Sequence, residues 1–303
     1  MDVGPLTCTG GGELTHMGDT SSRAVLLLSC PDRKGLVASV ADFIYRNNGN
    51  ILHADQHTDM ERSIFFQRVE WELQDFRIPR DRIAEAFRPV GEQFGMTWDL
   101  RFSEHVPRLA IFVSRQEHCM SDILLRWRMG EMKAEVALIL SNHPDLRPIA
   151  ESFGVEFQHF AVTPTTRHAV EQEMIEQLEA RRVEVVVLAR YMQILSGAFI
   201  NRYPNRIINI HHSFLPAFAG GKPYHQAYER GVKIIGATAH YVTAELDQGP
   251  IIEQDVARVS HRDAVEDLIT KGRDLEKIVL SRAVKLHLRN RILVYENKTV
   301  VFD

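Results

Sequence analysis

The chain has little cysteine. Cys8, Cys30 and Cys119 are its only three, far apart and without C-x-x-C spacing, which excludes a disulfide framework or a zinc ribbon and fits a reducing cytosol. Long apolar runs are missing too: nothing approaches the roughly 18 consecutive apolar residues of a membrane span, and no basic region with an apolar core opens the N-terminus. A soluble, cytoplasmic protein without a membrane partner is expected. Neither sign of charge dominates, with 36 Lys and Arg against 40 Asp and Glu and a net charge of -4. No dense basic run would track a phosphate backbone, so nucleic acid is not an expected partner. Internal repeats and low-complexity segments are absent.

What is there is ordinary globular composition, 45% hydrophobic and 25% charged over 303 residues, a length that predicts two cores. Residues 1–22, rich in Gly, Thr and Ser, read as a flexible leader. From residue 23 to 103 the elements run β-α-β-β-α-β: the strand "AVLLLSC", a helix with Leu36, Val37, Val40, Ala41 and Ile44 on its apolar stripe, the hairpin "NILHADQHTD" and "SIFFQRVEWEL", a helix opened by Pro79, and the strand "TWDLRFS". That order predicts a ferredoxin-like α+β domain, an antiparallel sheet with both helices on one face. Glu104 to Pro107 marks a linker.

From residue 108 to 303 short apolar strands alternate with helices, the signature of a doubly wound, mostly parallel α/β sheet. "RLAIFVS", "AEVALILS", "VEFQHF", "VEVVVLAR" and "RIINI" are the strand candidates, and Val170, Met174, Ile175 and Leu178 form the face of a helix. "KIIGATAHYV" and "GPIIEQDVARV" are two further extended runs, and Ser260 with Asp263 has capping-box spacing before a long helix to Leu288.

Ligands of such sheets bind beyond the carboxyl ends of the strands. There "INIHHSFLP" places Asn209 and His211 on one side of an extended backbone and Ile210 and His212 on the other. "TAELDQGPII" puts Asp247 in a tight polar turn from which a carboxylate could reach His211. Each residue alone is most simply a turn former or a satisfied strand end. Neighbouring histidines on an extended chain diverge, so His211 and His212 do not suggest a metal, and His225 and His240 are expected to be surface and structural.

The joint pattern "NIHHSFLP" and "HYVTAELDQGPII" resembles the N-x-H and D-x-G motifs of the 10-formyltetrahydrofolate formyltransferase fold. The wider resemblance, from Ala24 through "VSRQEHCMSDILLRW", "LARYMQILS" and "GGKPYHQAYERGVKIIGATAHYV", is similar to the formyltetrahydrofolate deformylases, which join an ACT domain to that fold. The resemblance implies Asn209, His211 and Asp247 as catalytic residues. It implies folate contacts from Leu188, Met192, Gln193, Ile194 and Ile207 and from the backbone between Thr243 and Glu245. No tightly bound cofactor and no metal are implied; 10-formyltetrahydrofolate would be the substrate. Relatives that formylate glycinamide ribonucleotide carry a Gly-Ser-rich loop whose backbone N–H groups can cradle a phosphate. Here that loop reads "SRQEHCM", without glycine, which points to water as the nucleophile.

ACT domains often bind a small amino acid where the first loop meets a partner. Asp32, Gly35, Asn50 and Ile51 would then hold an effector such as glycine or methionine between subunits of a homo-oligomer, whereas the residues alone fit a capped helix start equally well. Hydrolysis of the folate is the expected reaction. Formyl transfer to an amine, and amino-acid sensing without catalysis, are the alternatives.

Overall fold

The computed structural model describes residues 22–216 and 223–302. The expected leader lies outside the described residues except for Ser22. The chain begins with β1 (Arg23–Pro31), α1 (Leu36–Arg46), β2 (Ile51–Asp59), β3 (Ile64–Glu72), α2 (Ile83–Phe94) and β4 (Thr97–Phe102), which form an antiparallel sheet of order β2-β3-β1-β4. One face carries the helices: Leu26, Leu28, Val69 and Trp71 pack with Val40, Ile44, Ile83 and Phe87. Leu27 and Phe66 alternate to the opposite face, where Phe302 covers them. A strand buried on both sides has no polar face, which explains why "AVLLLSC" is apolar without alternation. Val37 departs from the expected helical stripe: it is 42% exposed, because Leu36, Val40 and Ile44 already fill the width that α1 presents to the sheet.

The second unit comprises β5 (Arg108–Val113), α3 (His118–Arg128), β6 (Glu135–Ser141), α4 (Arg147–Ser152), β7 (Phe157–His159), α5 (Arg167–Ala180), β8 (Val185–Leu188), α6 (Gly197–Arg202), β9 (Ile207–His211), α7 (Pro223–Glu229), β10 (Ile234–Tyr241), β11 (Ile251–Arg258) and α8 (Val265–Leu288). Its sheet has the order β11-β10-β9-β8-β5-β6-β7. It is parallel from β7 to β9 and antiparallel at β10 and β11. Ile111, Val187 and Ile208 face α3 and α8, while Phe112, Val186 and Leu188 face α5 and α6. Every central strand is therefore covered on both sides.

Two details differ from the sequence reading. Ser260 and Asp263 do not cap α8. Their contact, Ser260 N–H to Asp263 Oδ2 at 2.7 Å, closes the preceding turn, and the N-cap of the helix is Ala264, whose N–H donates to Asp267 Oδ2 at 2.8 Å. Beyond α8 lies a hairpin that the pattern did not reveal, β12 (Ile292–Tyr295) and β13 (Lys298–Val301). It packs Leu293, Tyr295 and Val300 onto the open face of the first sheet, with the Phe66 and Tyr295 rings 4.5 Å apart. The C-terminal residues thus join the two sheets.

Candidate active site

Strand β9 delivers Asn209 and His211 to the carboxyl end of the sheet, and β10 runs antiparallel beside it with His240 opposite Asn209. The pleat then places Asn209, His211 and His240 around one end of a cavity of about 520 Å³, with Asp247 above them in the turn after β10. His211 Nδ1 lies 3.3 Å from Asp247 Oδ2, and His240 Nε2 lies 3.7 Å from Oδ1. The hydrogen bond from His211, then the neighbouring His240 ring, holds the Asp247 carboxyl well below the usual carboxylate range. Asn209 Nδ2 donates to His240 Nε2 at 3.2 Å, while His240 Nδ1 donates to the Tyr241 carbonyl at 2.9 Å. Buried His211 keeps Nε2 without a hydrogen-bond partner among the described residues. An orphaned imidazole nitrogen costs free energy unless a ligand engages it.

Gly249 accounts for the second half of the Asp-x-Gly motif. A Cβ there would stand 1.7 Å from the Tyr241 carbonyl oxygen, the atom that holds the His240 ring. Only glycine lets the turn bring Asp247 down against β10.

His240 corrects the expectation of a surface residue. It is 2% exposed and bonds with the site, because β10 pairs with β9 in a register that a single sequence does not display. His225 lies at the cavity rim on α7 and is exposed. Of the implied folate contacts, Leu188, Met192, Gln193, Ile194, Thr243 and Glu245 line the cavity, with Met192 and Ile194 about 60% exposed at its mouth. Ile207 does not line it; it is wholly buried among Val186, Phe199 and Tyr203.

The far wall of the cavity is a polar knot that the sequence reading did not assemble. Glu276 on α8, 1% exposed, accepts from Tyr224 OH at 2.6 Å, contacts His118 Nε2 at 2.7 Å and lies 3.4 Å from Arg190 Nε. Burial raises its pKa, but the His118 contact, the Arg190 charge and the Tyr224 hydroxyl outweigh burial, and the net shift is downward. Arg190 Nε also donates to Gln116 Oε1 at 3.1 Å, which ties the "SRQEHCM" loop to the segment after β8. Arg190 adopts a left-handed φ of 64°, an unfavourable state for a long side chain that the knot holds in place. His212, on the opposite side of the backbone from His211, is pushed down to about 4 by burial and then by the Arg190 charge, so it is neutral at physiological pH.

His118, Cys119 and Glu276 bring potential ligand atoms within 4.8 Å of one another. Burial pushes the Cys119 thiol well up, and Glu276 is already engaged by three donors, so this trio is suited to hydrogen bonding rather than to a cation. In the first unit, the Asp32 N–H donates to Ser63 O at 2.8 Å, and Gly35, at φ 97°, rather than Asp32 occupies the N-cap position of α1. Asn50 Nδ2 donates to Glu72 Oε2 at 3.1 Å, and Ile51 is exposed.

Residues 107–284 match the family model described as formyl transferase, and residues 24–72 that of the ACT domain. The chain is 58% identical over 279 residues to a formyltetrahydrofolate deformylase of Synechocystis sp., spanning 92% of this chain and 98% of that protein. A crystal structure of a formyltetrahydrofolate deformylase from Pseudomonas syringae pv. tomato superposes with a TM-score of 0.92 at 46% identity, covering 95% of this chain and 96% of that one. A glycinamide ribonucleotide transformylase from Symbiobacterium toebii superposes with a TM-score of 0.63 at 34% identity, covering 68% of this chain and 98% of that one. An ACT domain, a formyltransferase sheet and near-full-length relatives at this identity place the chain in the formyltetrahydrofolate deformylase family.

Proposed function

We propose that the protein hydrolyses 10-formyltetrahydrofolate to formate and tetrahydrofolate, and that Asn209, His211 and Asp247 carry the reaction. The observation that carries this reading is the orphaned Nε2 of His211, buried in the cavity and backed through Nδ1 by an ionised carboxylate. A carboxylate held so strongly in its charged form is a poor base, so Asp247 orients the imidazole and stabilises its protonated state. His211 Nε2 takes a proton from water as the water oxygen bonds to the formyl carbon. The second amide hydrogen of Asn209 faces the oxyanion, a donor worth on the order of 10² to 10³ in rate. As the carbon–nitrogen bond breaks, Nε2 returns its proton to the leaving nitrogen, and the formic acid released ionises in solvent.

The apolar wall of Leu188, Ile200 and Val242 suits a flat pterin, and Met192, Gln193, Ile194, Thr243 and Glu245 frame its entry. Water as the acceptor is supported by the Arg190–Gln116 bond and Glu276, which occupy the wall beside the glycine-free loop where a phosphorylated amine would need free backbone N–H groups. Acceptor-free assay tests the reading. Formate released from formyltetrahydrofolate alone supports hydrolysis, whereas turnover only with an added amine selects transfer, and no folate binding selects a sensor.

The reading extends to surroundings. The substrate is the only folate required, with no tightly bound cofactor. Among the described residues no helix is long and apolar enough to cross a membrane, and Cys30 and Cys119 are free, which supports a cytoplasmic setting. The ACT domain supports an amino-acid effector at Asp32, Gly35, Asn50 and Ile51 and assembly into a homo-oligomer, tested by light scattering with and without glycine or methionine.

A further inference from the structure

A second cavity of about 510 Å³, nearly the size of the first, lies between the two sheets. Leu27 of the first unit and Val185, Ile292 and Leu293 of the second give it an apolar part, whereas the Trp98 and Phe102 side chains of β4 pack on the helix side of the first sheet. Alternation along β4, paired with β1 so that Asp99 stands opposite Leu27, turns Asp99 and Arg101 to this side. Arg206, before β9, and His287, near the end of α8, complete the polar part. Arg101 is paired with Asp99 at 2.7 Å, whereas Arg206 has no carboxylate partner among the described residues. Glu184, the other acid of the wall, is engaged by His105 at 2.8 Å.

His287 connects this cavity to the active site. Its Nδ1 is 2.7 Å from the Tyr241 hydroxyl. Burial, then the charges of Arg101 and Arg206, push its pKa down to about 4. The ring is therefore neutral at physiological pH. With the Tyr241 hydroxyl as donor to Nδ1, Nε2 carries the hydrogen. Tyr241 is buried, and its carbonyl is the acceptor that fixes His240 beside Asn209 and Asp247. One residue thus touches a wall of each cavity.

We propose that the cavity between the sheets is a regulatory site for a small carboxylate with an apolar body, read out at the active site through Tyr241. The carboxylate bonds with Arg206, Arg101 and His287 Nε2–H, and the apolar body lies against Leu27, Ile292 and Leu293. Holding His287 shifts the Tyr241 hydroxyl and with it the carbonyl that sets the His240 ring, which makes Tyr241 a positioning residue. The site is separate from the Asp32–Gly35 loop, and its occupancy is measured without reference to the reaction.

Calorimetric titration of the full chain with hexanoate, L-norleucine and hexylamine tests the binding. Hexanoate or L-norleucine is expected to bind in the millimolar range and hexylamine not to bind. Tighter binding of L-norleucine assigns an amino acid, and tighter binding of hexanoate assigns a plain carboxylate. Arg206→Gln, a change at an exposed side chain, is expected to weaken the bound carboxylate about tenfold, the worth of one charged hydrogen bond. Tyr241→Phe is expected to bind it as before while formate release no longer responds to it. No binding of either carboxylate, equal binding of hexylamine, or binding insensitive to Arg206→Gln overturns the site. An undiminished rate response in Tyr241→Phe overturns the link.

Discussion

Replacing Asp247 with Asn removes one charge and almost no volume, so its effect isolates what the carboxylate does for His211. At the 3.3 Å separation of Oδ2 and Nδ1, unit charges at an effective dielectric of about 20 attract by roughly 5 kcal/mol. Asp247 is partly open to the cavity, and solvent screening removes about half of that. What remains, ~2.5 kcal/mol, is lost from the imidazolium formed in the transition state and corresponds to about 10² in kcat. Folate KM should stay within about threefold, because an interaction made only in the transition state does not hold the ground state. The assay is formate release at saturating formyltetrahydrofolate without an amine. The charge also has a pH signature. The folded carboxyl is held below its unfolded value, so its contribution to stability is complete above the ordinary carboxylate range and disappears as pH falls below it. Urea unfolding should show wild type losing its advantage over Asp247→Asn in acid. A variant with turnover within about threefold of wild type at neutral pH would refute the assignment of Asp247.

Gly249→Ala forces a Cβ to 1.7 Å from the Tyr241 carbonyl; a cost of about 3 kcal/mol in urea unfolding should accompany loss of most formate release, since His240 loses its anchor. Glu276→Ala leaves His118, Arg190 and Tyr224 without their shared acceptor, and thermal unfolding should report a loss of about 3–5 kcal/mol. His212 and His287, each lowered from 6.5 to about 4 in the fold, take up protons more readily when unfolded. Stability should therefore fall as pH drops from about 6.5 to about 4, by up to ~3 kcal/mol for each histidine, and His212→Gln should flatten that decline in denaturant titrations across the same pH range.

The strand-end pair Asn209 and His211 was legible because both lie on one extended segment, where alternation fixes their common side without knowledge of the fold. For Asp247 the residues alone showed a polar turn from which a carboxylate could reach His211, and its place in the site came from the resemblance to the formyltransferase fold. His240 was not legible, since its place depends on which residue of β10 stands opposite Asn209, and register belongs to pairs of strands. Glu276 was hidden for a related reason: on a long helix an acid reads as solvated surface, and only the fold of α8 over β9 and β10 brings it to Arg190. The β-α-β-β-α-β order of the first unit was clear from period and punctuation. The C-terminal hairpin was not, because strands of four residues carry too few alternations to stand out.

That hairpin sets an order on biosynthesis. Leu27 and Phe66 emerge early from the ribosome, yet the side chains that cover them, Leu293, Tyr295 and Phe302, come from the last stretch of the chain. At about 5–20 residues per second the nascent first unit waits on the order of ten seconds or more with an oily patch uncovered. Chaperone engagement of the growing polypeptide should therefore concentrate on that patch and cease only once residues 293–302 have emerged.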